Sequence, residues 1–333
     1  MVSIVMTGIR KETSQLNVAK AGSTALYVDQ GHANADDNND GYSWDSPFAS
    51  ITAALADADP WTVIYIKDGT YVEEVVIPHE NIKLIGIVQD GPSVASIEPA
   101  AGGVPLTCLY GYCEISGLSL VSNGTHACKV SGPGIKLHDL YVEVTNILPA
   151  TKYGIWGNDL DSASIYNCYF DGKSSANVIG VFLDGGSVDC GIHGCYFTDW
   201  GDAVNPGYCI GFNDAQRCSV TPYVDQAGHH IPNRLISSYV GMYFYVVAGF
   251  GGHNIHYNMF SENSGYDIYD PNDPDTSGNS LDGNFYAYTN WFLDYNHDGL
   301  ADLIVDAYGN FDYHPLGGVS SWMTPNVPRV GTV

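Results

Sequence analysis

A short apolar motif recurs through the middle of the chain. It consists of a large aliphatic residue, two other positions, then Leu, Cys or Asn, one further position, and a second large apolar residue. The copies are Ile115-Leu118-Leu120, Leu137-Leu140-Val142, Ile165-Cys168-Phe170, Ile192-Cys195-Phe197 and Ile255-Asn258-Phe260. The first four begin 22, 28 and 27 residues apart. Repeats of this length, each too short to bury its own apolar face, predict a solenoid whose units stack on one another.

The repeated units have the composition of strands. They are bounded by Gly, Asn, Asp and Ser and are rich in Ile, Val, Tyr and Phe, as short strands are. The predicted fold is therefore all-β, a single-stranded right-handed parallel β-helix. Stacking at ~4.8 Å would place Cys168, Cys195 and Asn258 in one inward ladder, in which neighbouring residues satisfy the amide of the Asn.

The motif is interrupted once, between Ile192 and Ile255. The 63 residues of this interval allow two coils and an insertion. The segment 229–232, with the sequence His-His-Ile-Pro, is the predicted insertion because Pro is not accommodated in a central strand.

The sequence divides into four segments. Residues 1–24 lack a period and are predicted to be an N-terminal arm that provides attachment. Residues 25–60 are predicted to be a cap with a strand and an amphipathic helix at about 47–58, with Ser46 as its N-cap. This helix would cover the open end of the solenoid. The β-helix is assigned to 61–290, and 291–333 to a C-terminal cap with an Asp-rich loop and tail.

The charge of the chain excludes several classes of partner. It has 12 basic and 37 acidic residues and a net charge of −25. Nucleic acid and an anionic membrane surface would both be repelled. The sequence contains no run of 18 apolar residues, so no transmembrane helix is expected. The N-terminal segment lacks the pattern of a secretory signal peptide, so either a signal has been removed or the protein reaches its destination another way.

The cysteines are expected to be reduced and buried. There are eight, at positions 108, 113, 128, 168, 190, 195, 209 and 218. Their even number is compatible with disulfides, but Cys168 and Cys195 lie on the repeat, and free Cys behaves as a small hydrophobic residue. No CxxC pair with histidines at zinc spacing is present, so a zinc site is not expected.

The N-terminal part of the sequence resembles a known superfamily. The matching stretches are Tyr27-Val-Asp29, Asp36 to Gly41, Ser43-Trp44, Ser46-Pro47-Phe48, Ile64-Tyr-Ile66 and Gly69-Thr70-Tyr71. They resemble the opening of pectin-lyase-like right-handed β-helix proteins. That group includes polysaccharide lyases and hydrolases, and also phage tailspikes and other virion proteins. The resemblance implies the fold but not the activity, since the fold hosts many functions.

The C-terminal part shows a second resemblance. Gly283 to Phe285, Asn290-Trp291, the stretch 294–302 and Asp312 to Leu316 are similar to the end of periplasmic carbohydrate-binding β-helix proteins of the copper-processing type. The resemblance implies a C-terminal cap. Copper chemistry is not expected here, because the chain has five Met and no cluster of Met or His that suits copper.

Two acidic loops have the spacing of calcium ligands. Asp294, Asn296, Asp298 and Asp302 lie at positions one, three, five and nine of a loop with Gly299 at six. Oxygen ligands at this spacing wrap the chain around a hard cation, and Gly makes the tight turn. Position twelve is Val305 instead of Glu, which breaks the EF-hand pattern and favours a shorter calcium loop. The alternative is a turn held by its own hydrogen bonds.

The second loop is the weaker calcium candidate. Asp36, Asn38 and Asp40, followed by Gly41, repeat the spacing, but position nine is Trp44. A structural calcium ion is therefore the one predicted cofactor, with the C-terminal loop as its main site.

No catalytic set is identifiable in the sequence. A lyase acting on uronic acids needs a cation and a base, often Lys or Arg. Arg217 and Arg234 lie near His229, His230 and Asp214 in the sequence, and their alternative interpretation is as ordinary surface residues. Glycoside hydrolysis needs two carboxylates at a defined separation, and among 37 acidic residues the sequence selects no pair.

Two hypotheses of different classes follow. The first is a virion surface protein of a bacterial or archaeal virus (a tailspike, fibre or capsid decoration) that contacts other virion subunits and binds cell-surface polysaccharide. Virion β-helices are often trimeric, which leaves a homotrimer open, although no heptad repeat is present. The alternative is a secreted, extracellular polysaccharide lyase or glycoside hydrolase. Tyr and Trp, 24 and 6 in number, could stack on sugar rings or fill coils and corners.

Overall fold

Three long parallel sheets dominate the fold. The computed structural model describes residues 24–87, 94–100, 102–145, 151–173, 177–201, 206–245, 251–261, 263–264, 266–269, 279–282, 284–286, 304–305 and 311–312. Each coil passes through the sheets in the order A, B, C, and strands of successive coils pair in parallel. Parallel strands joined by such crossovers are right-handed. The predicted right-handed parallel β-helix is confirmed.

Sheet A has ten strands: Ala25–Val28, Val63–Lys67, Lys83–Ile87, Glu114–Ser116, Lys136–His138, Ser164–Tyr166, Gly191–His193, Ser219–Thr221, Asn254–His256 and Ser280–Asp282. Sheet B has nine: Gly69–Tyr71, Ala95–Ile97, Leu118–Ser122, Tyr141–Val144, Tyr169–Asp171, Tyr196–Thr198, Arg234–Ile236, Met259–Ser261 and Phe285–Tyr286. Sheet C has eight: Val75–Ile77, Leu106–Cys108, His126–Pro133, Lys152–Asp161, Val178–Asp184, Tyr208–Phe212, Val240–Phe244 and Tyr266–Tyr269. Two small antiparallel pairs join Tyr223–Val224 to His230–Ile231 and Ile304–Val305 to Phe311–Asp312.

The recurring motif forms the core in the predicted register. In sheet A its first positions align as Leu137, Ile165, Ile192, Val220 and Ile255. In sheet B its last positions align as Leu120, Val142, Phe170, Phe197, Leu235 and Phe260. All of these side chains are buried. The first and last positions of the motif are therefore inward-facing positions on either side of one corner.

That corner is made by a residue in the left-handed region followed by an inward residue. Gly117, Asp139, Asn167, Gly194 and Tyr257 all have φ between 52° and 67° at this position. Gly, Asn and Asp adopt this conformation most readily, which explains why they punctuate the repeat.

The inward residues of this corner form a continuous ladder. Leu140, Cys168 and Cys195 are followed by Asn233, Asn258 and Asn284, all buried. Nδ2 of Asn233 donates to Oδ1 of Asn258 at 2.9 Å, and Nδ2 of Asn258 donates to Oδ1 of Asn284 at 3.0 Å. The predicted self-satisfying Asn ladder is confirmed. Asn233 also belongs to this ladder, although it lies outside the copies of the motif identified in the sequence.

The interval from Ile192 to Ile255 contains two coils, which begin at Ile192 and Val220, and a hairpin, as predicted. Val220 continues the sheet A column between Ile192 and Ile255. The hairpin of Tyr223–Val224 and His230–Ile231 then separates Val220 from Asn233 and Leu235. The insertion predicted at 229–232 therefore lies in this hairpin and the residue after it.

The N-terminal helix is shorter than predicted. It spans Ile51–Ala56 and buries Ile51, Ala54 and Leu55. Its N-cap is Ser50, whose side chain accepts from the backbone N of Ala53 at 3.1 Å, and not Ser46. The segment before it cannot be helical because Phe48 pairs in extended conformation with Val28. The strand Ala25–Val28, within the segment assigned to the cap, is already part of sheet A.

All eight cysteines are free and buried. They occupy inward positions near the corners and in the strands, where they pack as small apolar residues. Within the described part of the chain, no helix is both long and apolar enough to cross a membrane.

Candidate functional site

Aromatic side chains cover the outer side of sheet C. They come from six successive strands or the residue that follows them: His126, Tyr153, Trp156, Phe182, Tyr208, Tyr243, Tyr245 and Tyr269. Together they are called the aromatic face below. Six strands at the parallel spacing of ~4.8 Å extend over about 24 Å along the solenoid. Most of these side chains are half-buried and keep part of their surface in solvent, whereas Phe182 is buried.

Some rings of the aromatic face stack and others tilt. Tyr208 and Tyr269 stack on opposite sides of Tyr243, with ring centroids 4.6 and 4.8 Å away. Tyr245 is inclined to Tyr243 by 56° and to Phe182 by 76°. In a regular ladder each ring face is covered by the next ring. The tilted rings break this regularity, so these neighbours do not cover one another face to face.

Gly211 makes room for this arrangement. It lies between Phe182 and Tyr243 in the sheet register. A Cβ atom on Gly211 would meet Cδ2 of Phe182 at 2.8 Å and Cε2 at 3.3 Å. The missing side chain therefore leaves the space that the Phe182 ring occupies.

A row of polar side chains borders the aromatic face. Asn158 and Asp184 are neighbours in the register of sheet C, and Asn213 follows in the next coil. Nδ2 of Asn213 donates to Oδ1 of Asp184 at 2.7 Å, and the backbone N of Gly185 donates to the same oxygen at 2.8 Å. The row therefore presents amide and carboxylate groups in fixed positions beside the rings.

The charged groups within the aromatic face are few. Nζ of Lys129 lies 4.9 Å from the ring centre of Trp156, a cation–π contact. Burial, together with the charge of Lys129, lowers the pKa of His126 to about 4. His126 is therefore neutral at physiological pH and has one donor and one acceptor nitrogen.

A different group of side chains lies on the outer side of sheet B. Tyr141, Tyr169 and Tyr196 stack in register, with centroids 5.5 and 4.9 Å apart and planes within 16°. Within the stack their faces cover one another and are closed to a ligand. This tyrosine ladder is a less suitable platform for a flat ligand than the aromatic face.

Beside the tyrosine ladder, two carboxylates share their partners. The Tyr141 hydroxyl lies 2.9 Å from Oε2 of Glu143 and 3.3 Å from Oδ2 of Asp171. Nζ of Lys173 lies 3.3 Å and 2.6 Å from the same two oxygens. Burial, reinforced by the charge of Asp171, raises the pKa of Asp199. Glu143, Asp171, Lys173 and Asp199 are together called the sheet B acid cluster.

A third group lies on sheet A. His138 is placed between two carboxylates, with Nδ1 2.6 Å from Oδ2 of Asp139 and Nε2 3.3 Å from Oε1 of Glu114. Lys83 binds the other oxygen of Glu114 at 2.7 Å. The imidazole also stacks on Tyr166 at 4.6 Å. This is a charge-balanced group whose acids and bases are paired with one another, which favours a structural role.

The predicted calcium ligands are only partly described. Asp294, Asn296, Asp298 and Asp302 lie outside the described residues, so the C-terminal site stays a prediction. Asp36, Asn38 and Asp40 form an exposed turn, in which Oδ1 of Asp36 accepts from the backbone and side chain of Asn38. Oδ1 of Asp40 accepts from the backbone N of Tyr42. The described ranges contain no group of three or more His, Cys, Asp or Glu side chains arranged to hold a metal ion.

The residues considered for catalysis do not form one site. Arg217 makes a bidentate ion pair with Asp189, at 2.8 and 2.7 Å, on an exposed corner. His229 pairs with Asp225 within the hairpin. Arg234 lies on the outer side of sheet B. The aromatic face and the sheet B acid cluster were both missed by the sequence analysis, since each gathers residues from separate coils.

Comparisons with solved structures return β-helix proteins at low similarity. A pectate lyase, Pel9A, is 13% identical with a TM-score of 0.43, and the match covers 79% of this chain and 80% of that one. A rhamnogalacturonan lyase is 14% identical with a TM-score of 0.39, covering 80% and 82%. A pectin methylesterase in complex with a hexasaccharide is 13% identical with a TM-score of 0.38, covering 81% and 91%. No protein-family model matches the sequence, and no curated protein is similar to it in sequence. The fold is assigned from the strand pairing, and similarity at this level says nothing about activity.

Proposed function

We propose that the protein binds a carbohydrate chain along the aromatic face of sheet C. The observation that carries the proposal is a row of mostly half-buried aromatic rings, not all stacked face to face, beside the fixed polar row of Asn158, Asp184 and Asn213. Sugars present apolar C–H faces and hydroxyl edges, so an aromatic surface beside amides and carboxylates suits both parts.

Charge favours a neutral carbohydrate at this face. The net charge of −25 repels anionic polymers at long range. Asp184 would oppose an acidic sugar in contact with the polar row, whereas sugar hydroxyls can donate to its carboxylate. Extended polysaccharides have a repeat of a few ångströms per residue, so a face of about 24 Å would bind a short run of sugars.

For the location and partners of the protein, the sequence supports two proposals. A virion surface location would suit a glycan-binding solenoid that contacts other virion subunits, with a trimer as one arrangement. A secreted location would suit the same face equally. Cultivating the source virus and identifying the protein in purified particles, by mass spectrometry, would separate the two.

The binding proposal is tested by calorimetry and a glycan array. The wild-type protein is screened on neutral glycans, and hits are titrated against Trp156→Ala and Tyr243→Ala. We expect each variant to weaken binding by at least tenfold while the melting temperature stays close to that of the wild type. Tyr42→Ala is the matched control, because Tyr42 is 62% exposed at the opposite end of the chain. Equal binding by the wild type and both aromatic variants would exclude the face as the site.

Cleavage of a polysaccharide is the second candidate function, and the sheet B acid cluster favours it. Glu143 and Asp171 are held close together by Tyr141 and Lys173. Paired carboxylates, one of which must be protonated, are the groups that glycoside hydrolysis requires. The raised pKa of Asp199 supplies a nearby carboxyl that binds its proton more tightly.

This second function has its own assay. Polysaccharides are incubated with the protein, and products are read by reducing-end release and by absorbance of unsaturated sugars. Activity that disappears in Asp171→Asn but persists in Asp189→Asn, an exposed residue of another corner, would establish the cluster as an active site. No product from a broad panel would leave binding as the function.

A further inference from the structure

The corner that leads into sheet A places one left-handed residue in each of eight successive coils. This residue lies two positions before the sheet A strand and has φ between 50° and 76°. The eight residues are Trp61, Asn81, Tyr112, Gly134, Ser162, Asp189, Arg217 and Gly252. Gly, Asn and Asp adopt this conformation readily, whereas a bulky side chain is strained in it. Trp61 and Tyr112 are therefore two large aromatic residues held at strained positions of one column.

The strain at these two positions is not compensated by burial. Trp61 is 60% exposed and Tyr112 is 58% exposed. The turn before Tyr112 also exposes Leu109 and Tyr110, at 50% and 47%. Four of the nine large hydrophobic side chains that are exposed in the described part of the chain thus lie on one corner within three coils. Single exposed apolar residues are ordinary, but a group of them indicates a binding surface. These four residues are called the corner patch.

The backbone of the corner patch is fixed by contacts between coils. The backbone N of Asn81 donates to the carbonyl of Gly111 in the next corner at 3.1 Å. A Cβ atom on Gly134 would meet Cδ1 of Tyr112 at 2.6 Å and Cε1 at 2.9 Å, so the Tyr112 ring lies against the glycine of the following corner. Trp61 and Tyr112 occupy equivalent positions two coils apart, which separates their backbones by about 10 Å along the solenoid.

The charges beside the corner patch restrict the partner. Asp59 and Glu80 are exposed just before the first two corner positions, and neither forms an ion pair with a residue that the structure describes. These carboxylates repel an acidic polymer. A second copy of a chain with a net charge of −25 would bring the same carboxylates to a symmetric contact, which is also unfavourable. Hydroxyl groups, in contrast, can donate to them.

The shape of the corner patch restricts the partner further. A stable protein interface uses about 20–30 residues on each side. The corner patch is a narrow strip of four side chains, and its two strained aromatic residues follow the solenoid axis. A strip of this kind suits a linear chain of small repeating units better than the surface of another protein.

We infer that the corner patch binds a neutral carbohydrate chain, with sugar rings stacked on Trp61 and Tyr112. Aromatic side chains suit the apolar C–H faces of sugars. The amide of Asn81, at the corner between the two aromatic residues, and the carboxylate of Glu80 suit the hydroxyl groups. Strained backbone that is retained without burial is typical of binding sites. The corner patch shares no residue with the aromatic face of sheet C, and binding at one does not require binding at the other.

The six tryptophans of the chain allow both surfaces to be observed in one experiment. Protein labelled with 5-fluorotryptophan gives ¹⁹F signals, and Trp61→Phe and Trp156→Phe assign those of the corner patch and the aromatic face. The protein is titrated with cellohexaose, mannohexaose, maltohexaose and hexagalacturonate at constant ionic strength. We expect a saturable shift of the Trp61 signal with at least one neutral hexamer and none with hexagalacturonate. The signal of Trp200, which is fully buried, is the internal control and should not move.

The titration separates this site from the one on sheet C. A saturable shift of the Trp61 signal without a shift of the Trp156 signal would support the corner patch and not the aromatic face. A shift of the Trp156 signal alone would support the aromatic face and reject the corner patch. The inference is also wrong if the Trp61 signal moves equally with hexagalacturonate. It fails again if that signal changes with protein concentration in the absence of sugar, because the patch would then be a contact between copies.

Glycine variants distinguish a ligand site from a structural role. Tyr112→Gly removes the ring and relieves the left-handed strain. We expect a melting temperature no lower than that of the wild type and about tenfold weaker binding of the neutral hexamer, the effect of losing one stacking contact. Tyr257→Gly is the matched control, because Tyr257 is 48% exposed with φ of 55° at a different corner, and it should leave binding unchanged. A lower melting temperature of Tyr112→Gly with unchanged binding would show that Tyr112 is structural. The wild-type titration decides the question even if the variant does not fold.

Discussion

Nδ2 of Asn233 donates to Oδ1 of Asn258 at 2.9 Å, although 25 residues separate the two in the chain. The same nitrogen of Asn233 also lies 3.1 Å from the carbonyl of Ile192 and 3.0 Å from that of Thr221. One buried amide therefore connects the corners of adjacent coils with their backbone. Polar groups replace thiols in the same ladder beyond Cys195 without leaving the amides unpaired.

Removing one rung of the Asn ladder should destabilise the fold. Asn258→Ala removes the hydrogen bonds that the Asn258 side chain makes with Asn233, Asn284 and the carbonyl of Val220. We expect a loss of about 3 kcal/mol of unfolding free energy, since buried unsatisfied groups cost about 1–3 kcal/mol each. Urea unfolding measures it. Asn38→Ala, in an exposed turn, is the control and should change stability by at most about 0.5 kcal/mol. Similar losses for both variants would contradict the role of the ladder.

Truncating the phenylalanine stack should be as costly. Phe197 is fully buried, and its ring lies 4.5 Å from that of Phe170 with planes 4° apart. Phe197→Ala should cost about 3–5 kcal/mol through the cavity that it leaves. Thermal and urea unfolding measure the effect, with Tyr110→Ala, 47% exposed, as the surface control. A variant that melts like the wild type would mean that the register is wrong.

His138 should make stability depend on pH. Burial opposes its charge, but hydrogen bonds to Asp139 and Glu114 outweigh this and raise its pKa from 6.5 to about 9. A raised pKa in the folded state gives stability that is fully present below pH 6.5 and is lost as the pH rises through 9. The bond with His138 also lowers the pKa of Glu114 from 4.5 to about 2. The stability that the Glu114 carboxylate contributes is therefore lost as the pH falls from 4.5 toward 2.

His138→Gln is the variant that tests this pH dependence. It should be less stable than the wild type by about 2 kcal/mol at pH 6, the size of a hydrogen bond between charged groups. The difference should shrink between pH 6.5 and pH 9. Unfolding curves at a series of pH values measure it, and a difference that is constant with pH would argue against a charged His138.

The thiols should be present but unreactive in the folded protein. All eight are free and buried, and burial raises the pKa of Cys128 to about 12. Because the thiolate is the reactive form, the native protein should react slowly with a thiol reagent. Titration in denaturant should then count eight thiols. A count of zero in denaturant without reductant would show that the cysteines are paired.

Calcium binding at the C-terminal loop remains to be tested. If Asp294, Asn296, Asp298 and Asp302 hold a calcium ion, chelation should lower the melting temperature, because a ligand that binds the folded state stabilises it. Asp298→Ala should remove the difference between melts with and without chelator, whereas Asp36→Ala tests the weaker site. Identical melts of the wild type in both conditions would rule out a structural calcium ion.

The sequence predicted the repeat and its register correctly because both depend on local spacing. The first and last positions of the motif face inward on either side of a corner that one left-handed residue makes. Asn233 was missed since the hairpin of 223–231 separates it from Val220, the first position of its coil. The pair Asn233 and Leu235 repeats the pattern of Asn258 and Phe260, and this half-motif is the signal that could have identified it.

The helix start shows a limit of local signals. Ser46 followed by Pro47 has the sequence of a helix start, but the pairing of Phe48 with Val28 keeps that segment extended. Ser50 has the same capping chemistry, and Asp37 accepts from its backbone N at 2.8 Å. Tertiary contacts therefore selected between two serines that the sequence could not distinguish.

By itself, the sequence determined the solenoid, since inward apolar residues at a fixed spacing have no alternative way to leave water. It also determined the net charge of −25, which predicts repulsion of nucleic acid. Only the tertiary structure decided which surface could bind a ligand. The strand Lys152–Asp161 presents Tyr153, Trp156 and Asn158 outward, and its pairing with His126–Pro133 shifts register between Val130 and Gly132. Simple alternation does not predict that pattern. The aromatic face and the sheet B acid cluster arise from stacking residues of separate coils, and such proximity exists only after the coils have closed.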